Sequence, residues 1–130
     1  LVATDFETAR KSIPPLNKSF EGIDMSLIKG DAHLYWMGKM PKIKKQLKQL
    51  NDAKNIVEQR AEFALLSELL VQVVQVFGLS EGTLFIQYCP MAMDNKGANW
   101  LSKEGTIQNP YFGDKMLRCG SVEDTLIFKN

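Results

Sequence analysis

The sequence predicts a mainly α fold, an antiparallel helical bundle followed by a long irregular C-terminal segment with a small two-stranded β element. Three observations carry this expectation. Apolar residues recur at helical spacing through the first two thirds of the chain. After Gly78 the texture changes to a strand-length run, then about thirty residues rich in Gly, Asn and Pro. Finally, 130 residues fit one compact domain, long enough to bury a core but too short for two. The single domain divides into a bundle over about 1–78 and a C-terminal segment over about 79–130.

Each element has its own reason. Val2, Phe6, Ala9 and Ile13 sit at helical spacing, and Pro14-Pro15 should stop that helix or sharply redirect it. A second helix is expected after Asp31, whose carboxylate can accept from the first-turn amides. Trp36, Met40, Ile43, Leu47 and Leu50 form its apolar stripe, and Pro41 within it should kink or restart the helix. Asn55 and Glu58 have the spacing of a capping box for a third helix. Its face runs through Phe63, Leu66, Leu70, Val73, Val74 and Phe77, widened by Leu65, Leu69 and Val76. Gly78 ends it as a residue free to take positive φ. Thr83 to Tyr88 reads as a strand, with Thr125 to Phe128 as its partner and a short helical turn around Ala98 to Lys103 between them.

Composition excludes several functions. A hydrophobic fraction of 45% and a charged fraction of 24% are ordinary for a soluble globular chain. With a formal net charge of +1 there is no global field to recruit nucleic acid or an anionic membrane. The local cluster Lys39, Lys42, Lys44, Lys45 and Lys48 lacks interleaved aromatics for stacking bases, and reads as a solvated helix face. Leu65 to Phe77 is interrupted by Ser67, Glu68, Gln72 and Gln75, so it is a core helix candidate and not a transmembrane segment. Leu1 opens in mid-pattern without initiator methionine or signal peptide, so the chain reads as a mature or truncated piece of something longer. One histidine, scattered glycines and no recognisable nucleophile motif argue against an enzyme.

Sulfur carries the remaining chemistry. Cys89-Pro90-Met91-Ala92-Met93 follows the predicted strand, and Met116-Leu117-Arg118-Cys119 lies near the end of the tail. Thiolates and thioethers are soft, polarisable donors suited to copper(I) or silver(I). Spacing leaves the two cysteines open to a metal pair, a structural disulfide or two unrelated thiols. The absence of CxxC removes the zinc-ribbon signal and weakens a thiol oxidoreductase. Each methionine can equally be a core filler. His33, Met37 and Met40 fall at i, i+4 and i+7, on one helix face. They form either a second copper set or a satisfied histidine beside a Met-filled core stripe.

The segment from Tyr88 to Gly120, YCPMAMDNKGANWLSKEGTIQNPYFGDKMLRCG, supplies a resemblance. It is similar to the domain, formerly of unknown function, at the C-terminus of periplasmic adaptor subunits of RND-class heavy-metal efflux pumps. That domain also occurs in stand-alone exported proteins, especially of Bacteroidetes-type bacteria. The resemblance rests on Cys89 to Ala92, Gly97 to Ser102 and Asn109 to Gly120. Upstream it rests on Ala32-His33 with Trp36-Met37, and on Gln59-Arg60 with Phe63 and Leu66-Ser67. It implies a helical bundle closed by a mostly irregular segment, located in the periplasm or otherwise exported, and tied to copper or silver handling. It also implies Cys89, Met91, Met116 and Cys119 as ligands, His33 and Met37 as secondary ones, and efflux pump components or another envelope metal carrier as partners. Met93 departs from the pattern, which does not usually carry sulfur there. Pro14-Pro15 and Pro41 interrupt helices that the resemblance would make continuous.

The resulting expectation is an exported, non-enzymatic module that binds copper(I) or silver(I). Its competitor is a domain pinned by a Cys89–Cys119 disulfide that docks to an envelope partner. A thiol redox enzyme is the third reading.

Overall fold

A computed structural model describes residues 1–23 and 25–129 of the chain. The first helix, α1 (Phe6–Lys11), begins at Asp5, whose Oδ1 accepts from the Thr8 amide at 3.0 Å. Pro14 and Pro15 do more than redirect the chain. They occupy the first turn of a new helix, α2 (Ile13–Glu21), where a missing N–H costs nothing because those amides have no intrahelical partner. The 23-residue α3 (Gly30–Asp52) runs through Pro41 without a restart. Asp31 lies inside its first turn rather than at its cap, which is Lys29. There its charge still complements the positive end of the helix dipole.

The fourth helix, α4 (Ile56–Phe77), starts as its sequence predicts: Asn55 Oδ1 accepts from the Glu58 amide at 2.9 Å, and Glu58 Oε2 accepts from the Lys54 amide at 2.8 Å. Gly78 ends it at φ 69°. The three-residue link Ala53–Asn55 folds α3 and α4 into an antiparallel hairpin: Trp36 meets Phe77 at one end, and Gln46 donates to the Glu62 carbonyl at the other. Ile13, Trp36, Ile43, Leu47, Leu50 and Leu66 form the buried core between α2, α3 and α4. Of the residues expected to widen the α4 face, Leu69 packs on this core, while Leu65 and Val76 stay half exposed.

The C-terminal third departs from expectation. It holds three antiparallel strands, β1 (Gly82–Cys89), β2 (Ala98–Ser102) and β3 (Ser121–Phe128), in the order β2-β1-β3. Among the described residues the fold is therefore four helices of six residues or more with a three-stranded sheet, not a bundle with an irregular segment and a two-stranded element. The overlooked strand is β2, expected as a helical turn over Ala98 to Lys103. Its apolar residues obey a period of two: Ala98 and Trp100 are buried while their neighbours are less so. Trp100 sits directly opposite Gln87 and its indole donates to Gln87 Oε1 at 2.8 Å, a bond a helix could not supply.

Between Ile86 and Gln87 the β1–β3 register shifts by one, so that Asp124 faces Ile86 and Val122 faces Gln87. A second core of Cys89, Ala92, Ala98, Trp100 and Tyr111 forms under the sheet, and Phe63 of α4 packs against both cores. The aromatic stack Phe63–Tyr111–Trp100, with centroid distances of 5.8 and 5.9 Å, ties helix to sheet. Among the described residues, no helix is long and apolar enough to cross a membrane.

Candidate functional site

Two sheet-end positions bring the sulfurs together. Cys89 closes β1 opposite Ala98 and is fully buried. Cys119 is half-buried and stands two residues before Ser121, which pairs with Tyr88 next to Cys89. Gly120 makes the approach possible: at φ 131° a Cβ there would lie 2.7 Å from the Tyr88 carbonyl oxygen. Asn109, fully buried, fixes the incoming loop with its whole amide. Its Nδ2 donates to the Cys119 carbonyl at 2.8 Å, and its Oδ1 accepts from the amides of Tyr111 and Phe112 at 2.8 and 3.1 Å. The result is a pair of free thiols with Sγ···Sγ 3.0 Å.

This separation is chemically intermediate. A disulfide needs about 2.05 Å, so oxidation closes the gap by about 1 Å. Two sulfurs at about 2.3 Å from one shared ion would stand about 3.8 Å apart, so an ion held by this pair would require the gap to widen by slightly less. The hydrogen bond to Cys89, followed by burial and the charge Cys89 would carry, raises the pKa of Cys119. Burial likewise holds the neighbouring Tyr111 phenol well above its ordinary value, and its hydroxyl donates to the Asn99 carbonyl at 2.5 Å. Tyr111 is thus a neutral structural donor and not a candidate base.

The remaining sulfur and imidazole candidates fall into two places. Met91 is 47% exposed on the turn after Pro90. Met93, at φ 53°, packs half-buried against the core that contains both cysteines. Met116 is half-buried, and its carbonyl accepts from the Cys119 amide at 3.1 Å, so the two share one turn. His33 and Met37 belong to the opposite end of the molecule. They flank Trp36, which packs on Phe77, whereas the thiol core leans on Phe63. Phe63 and Phe77 lie about 20 Å apart along α4 at the helical rise. Met37 is 51% exposed, and the buried Nδ1 of His33 has no hydrogen-bond partner among the described residues. Among the described residues, no three His, Cys, Asp or Glu side chains form a group able to hold a metal ion. Any ion at the thiol pair would draw further donors from thioethers.

Asn109 and Gln87 are the residues that sequence reasoning undervalued. Asn109 reads as part of a turn before proline, and Gln87 as one polar position of a strand. Both are completely buried hubs, with Gln87 Nε2 donating to the Glu104 and Gly105 carbonyls at 2.9 and 3.3 Å. An Asn followed by Pro signals a turn, but nothing local reveals that its amide will be enclosed.

No curated protein and no solved structure matches the chain. A family described as a protein of unknown function (DUF3347) matches residues 1–82, which take in all four helices and reach the first residue of β1. The match spans more than half the chain, and the chain belongs to that family.

Proposed function

We propose that this chain is an exported, non-enzymatic module that binds copper(I) or silver(I), an accessory to heavy-metal efflux or metal handling in the cell envelope. The observation that carries the reading is the Cys89–Cys119 pair, two free cysteine side chains with their sulfurs 3.0 Å apart. Soft d10 ions accept few sulfur ligands in variable geometry, so two thiolates plus one or two thioethers suffice. Met116, Met91 and Met93 are the thioethers of this segment. His33 and Met37, at the far end of α4, would form a separate and weaker site. Uptake displaces thiol protons, so binding weakens as pH falls. The similarity of Tyr88 to Gly120 to the C-terminal domain of RND-class periplasmic adaptors supports the envelope setting and the efflux partners.

A Cu(I) competition titration of the reduced chain against a chromogenic chelator tests this. One ion per chain is expected, with loss of uptake in Cys89→Ser and in Cys119→Ser. No uptake by the reduced chain, or uptake unchanged by Cys89→Ser, would overturn the reading.

The short thiol separation equally favours a second reading, a disulfide-pinned domain that docks to an envelope partner. Closing a loop of about thirty residues would stabilise the fold by about 3.5–4 kcal/mol on the chain-entropy model. Intact mass decides: a chain two mass units light until reduced carries the bridge. Oxidised and metal-bound forms exclude one another, because a bridged pair offers no thiolates.

A further inference from the structure

One edge of the sheet is half open. In the order β2-β1-β3, β3 has a strand on one side only, and its residues are exposed except for the half-buried Leu126 and Phe128. An edge strand presents N–H and C=O groups that invite another strand, and proteins blunt it with charges or irregular pairing. Here the blunting stops midway. The register shift and the acidic Glu123-Asp124 guard the first half of β3. The second half, Thr125-Leu126-Ile127-Phe128, pairs regularly with β1, carries no charge or proline, and leaves Ile127 63% exposed. Asp124 also identifies the groups that point outward. Its Oδ1 accepts from the Thr125 amide at 2.8 Å, so that amide is not in the ladder to β1. An antiparallel ladder bonds through alternate residues, so Thr125 and Ile127 turn their backbone groups to the open side.

We propose that this edge pairs with the same edge of a second copy of the chain, antiparallel about a two-fold axis at Leu126. Thr125 then lies opposite the partner's Ile127 and Ile127 opposite the partner's Thr125, each pair exchanging both of its N–H···O bonds. The Thr125 amide passes from the Asp124 carboxylate to the carbonyl of the partner's Ile127. Charge selects both the occupant and the register. Glu123 and Lys129 stand three residues to either side of Leu126, both exposed, and neither is in an ion pair among the described residues. An antiparallel two-fold sets each beside its opposite on the other copy, at both ends of the contact. Moving the axis to Thr125 or Ile127 loses that match, setting Glu123 against isoleucine or Lys129 against threonine.

Sedimentation velocity on the 130-residue chain, kept reduced and with a chelator, tests this without bridges through sulfur or metal. A concentration-dependent monomer–dimer equilibrium is expected. Amide exchange at Ile127 should slow as the dimer fills, while Leu126, already bonded to β1, keeps its rate. Glu123→Lys should weaken dimerisation about tenfold by opposing like charges at both ends, and Lys129→Glu should do the same. The two substitutions together should restore it, an outcome that a purely structural role for either residue would not give. Ile127→Pro removes an outward amide without touching the ladder to β1 and should abolish the dimer. A chain that stays monomeric at every concentration, a dimer unmoved by Ile127→Pro, or a double variant no tighter than the single ones would overturn the proposal. If Ile127→Pro does not fold, the charge series decides on its own.

Discussion

Replacing Asn109 with alanine isolates what holds Cys119 in place. The amide makes three hydrogen bonds: one to the Cys119 carbonyl, and two from the Tyr111 and Phe112 amides. All three involve groups withdrawn from water, and alanine answers none of them. A hydrogen bond lost with its partner left buried costs about 1–3 kcal/mol. Because the three share one side chain and one relaxing loop, their sum falls short of additive, and about 3–5 kcal/mol is expected. That is a large share of the about 5–15 kcal/mol that holds a domain of this kind together. Urea unfolding of the reduced chain, followed by circular dichroism, should show the midpoint falling by about 2 M for an m-value near 2 kcal/mol/M. Iodoacetamide should also label Cys119 faster, since its carbonyl anchor is gone. A stability loss below about 1 kcal/mol, or an unchanged labelling rate, would refute the assignment of Asn109 as the pin of this loop.

Three further outcomes follow from particular residues. Pro41 is exposed inside α3 and leaves the carbonyl of the preceding turn without its amide. Pro41→Ala should therefore raise the stability by about 1–2 kcal/mol after allowing for the freer unfolded chain, read as a higher urea midpoint; a lower midpoint contradicts this. Gly120→Ala places a Cβ against the Tyr88 backbone in a conformation that side chains avoid. It should cost at least about 2 kcal/mol and reduce metal uptake or bridge formation at the thiol pair; a neutral effect on both counts against the geometry. The third concerns pH. The hydrogen bond to Cys89, and then burial, hold the Cys119 thiol above its ordinary 9.0. The folded chain thus keeps a proton that the unfolded chain releases. Its stabilising effect is complete below that ordinary value and disappears as pH climbs through the raised one. Alkylation of Cys119 at pH 8 should be slower than in urea and faster in Cys89→Ala; equal rates would contradict the shift.

How much of this was legible in the sequence differs by element. The caps of α4 were readable because Asn55 and Gly78 act on their nearest neighbours, within one turn. The strand core of β1 and the partner run Thr125 to Phe128 carried β-branched and aromatic residues in sequence. Pro14-Pro15 was ambiguous for a physical reason, since proline stops one helix and opens the next equally well. The strand β2 escaped because five residues are too few to separate a period of two from one of 3.6. Its identity depends on Gln87, across the sheet, offering an acceptor to Trp100. At the site, cysteine spacing left a bridge, a metal pair and unrelated thiols all open. Their separation is set by long-range contacts of Asn109 and Gly120 that no local pattern encodes. His33 and Met37 share a helix face with Met40, yet that face meets the far end of α4, which sequence spacing does not reveal.

The irregularity in the β1–β3 ladder reaches further than the strand that contains it. Had the pairing continued unshifted past Ile86, Ser121 would stand opposite Cys89 instead of Tyr88. Everything entering β3 would be displaced by one position, about 3.4 Å, and turned to the opposite side of the sheet. By absorbing Glu123 as a spare residue, the ladder lets its outer half follow one alignment and its inner half another. An exposed acidic position several residues from Cys119 thereby acts as the spacer that sets Ser121 opposite Tyr88, the alignment on which the contacts of Asn109 and Gly120 then build.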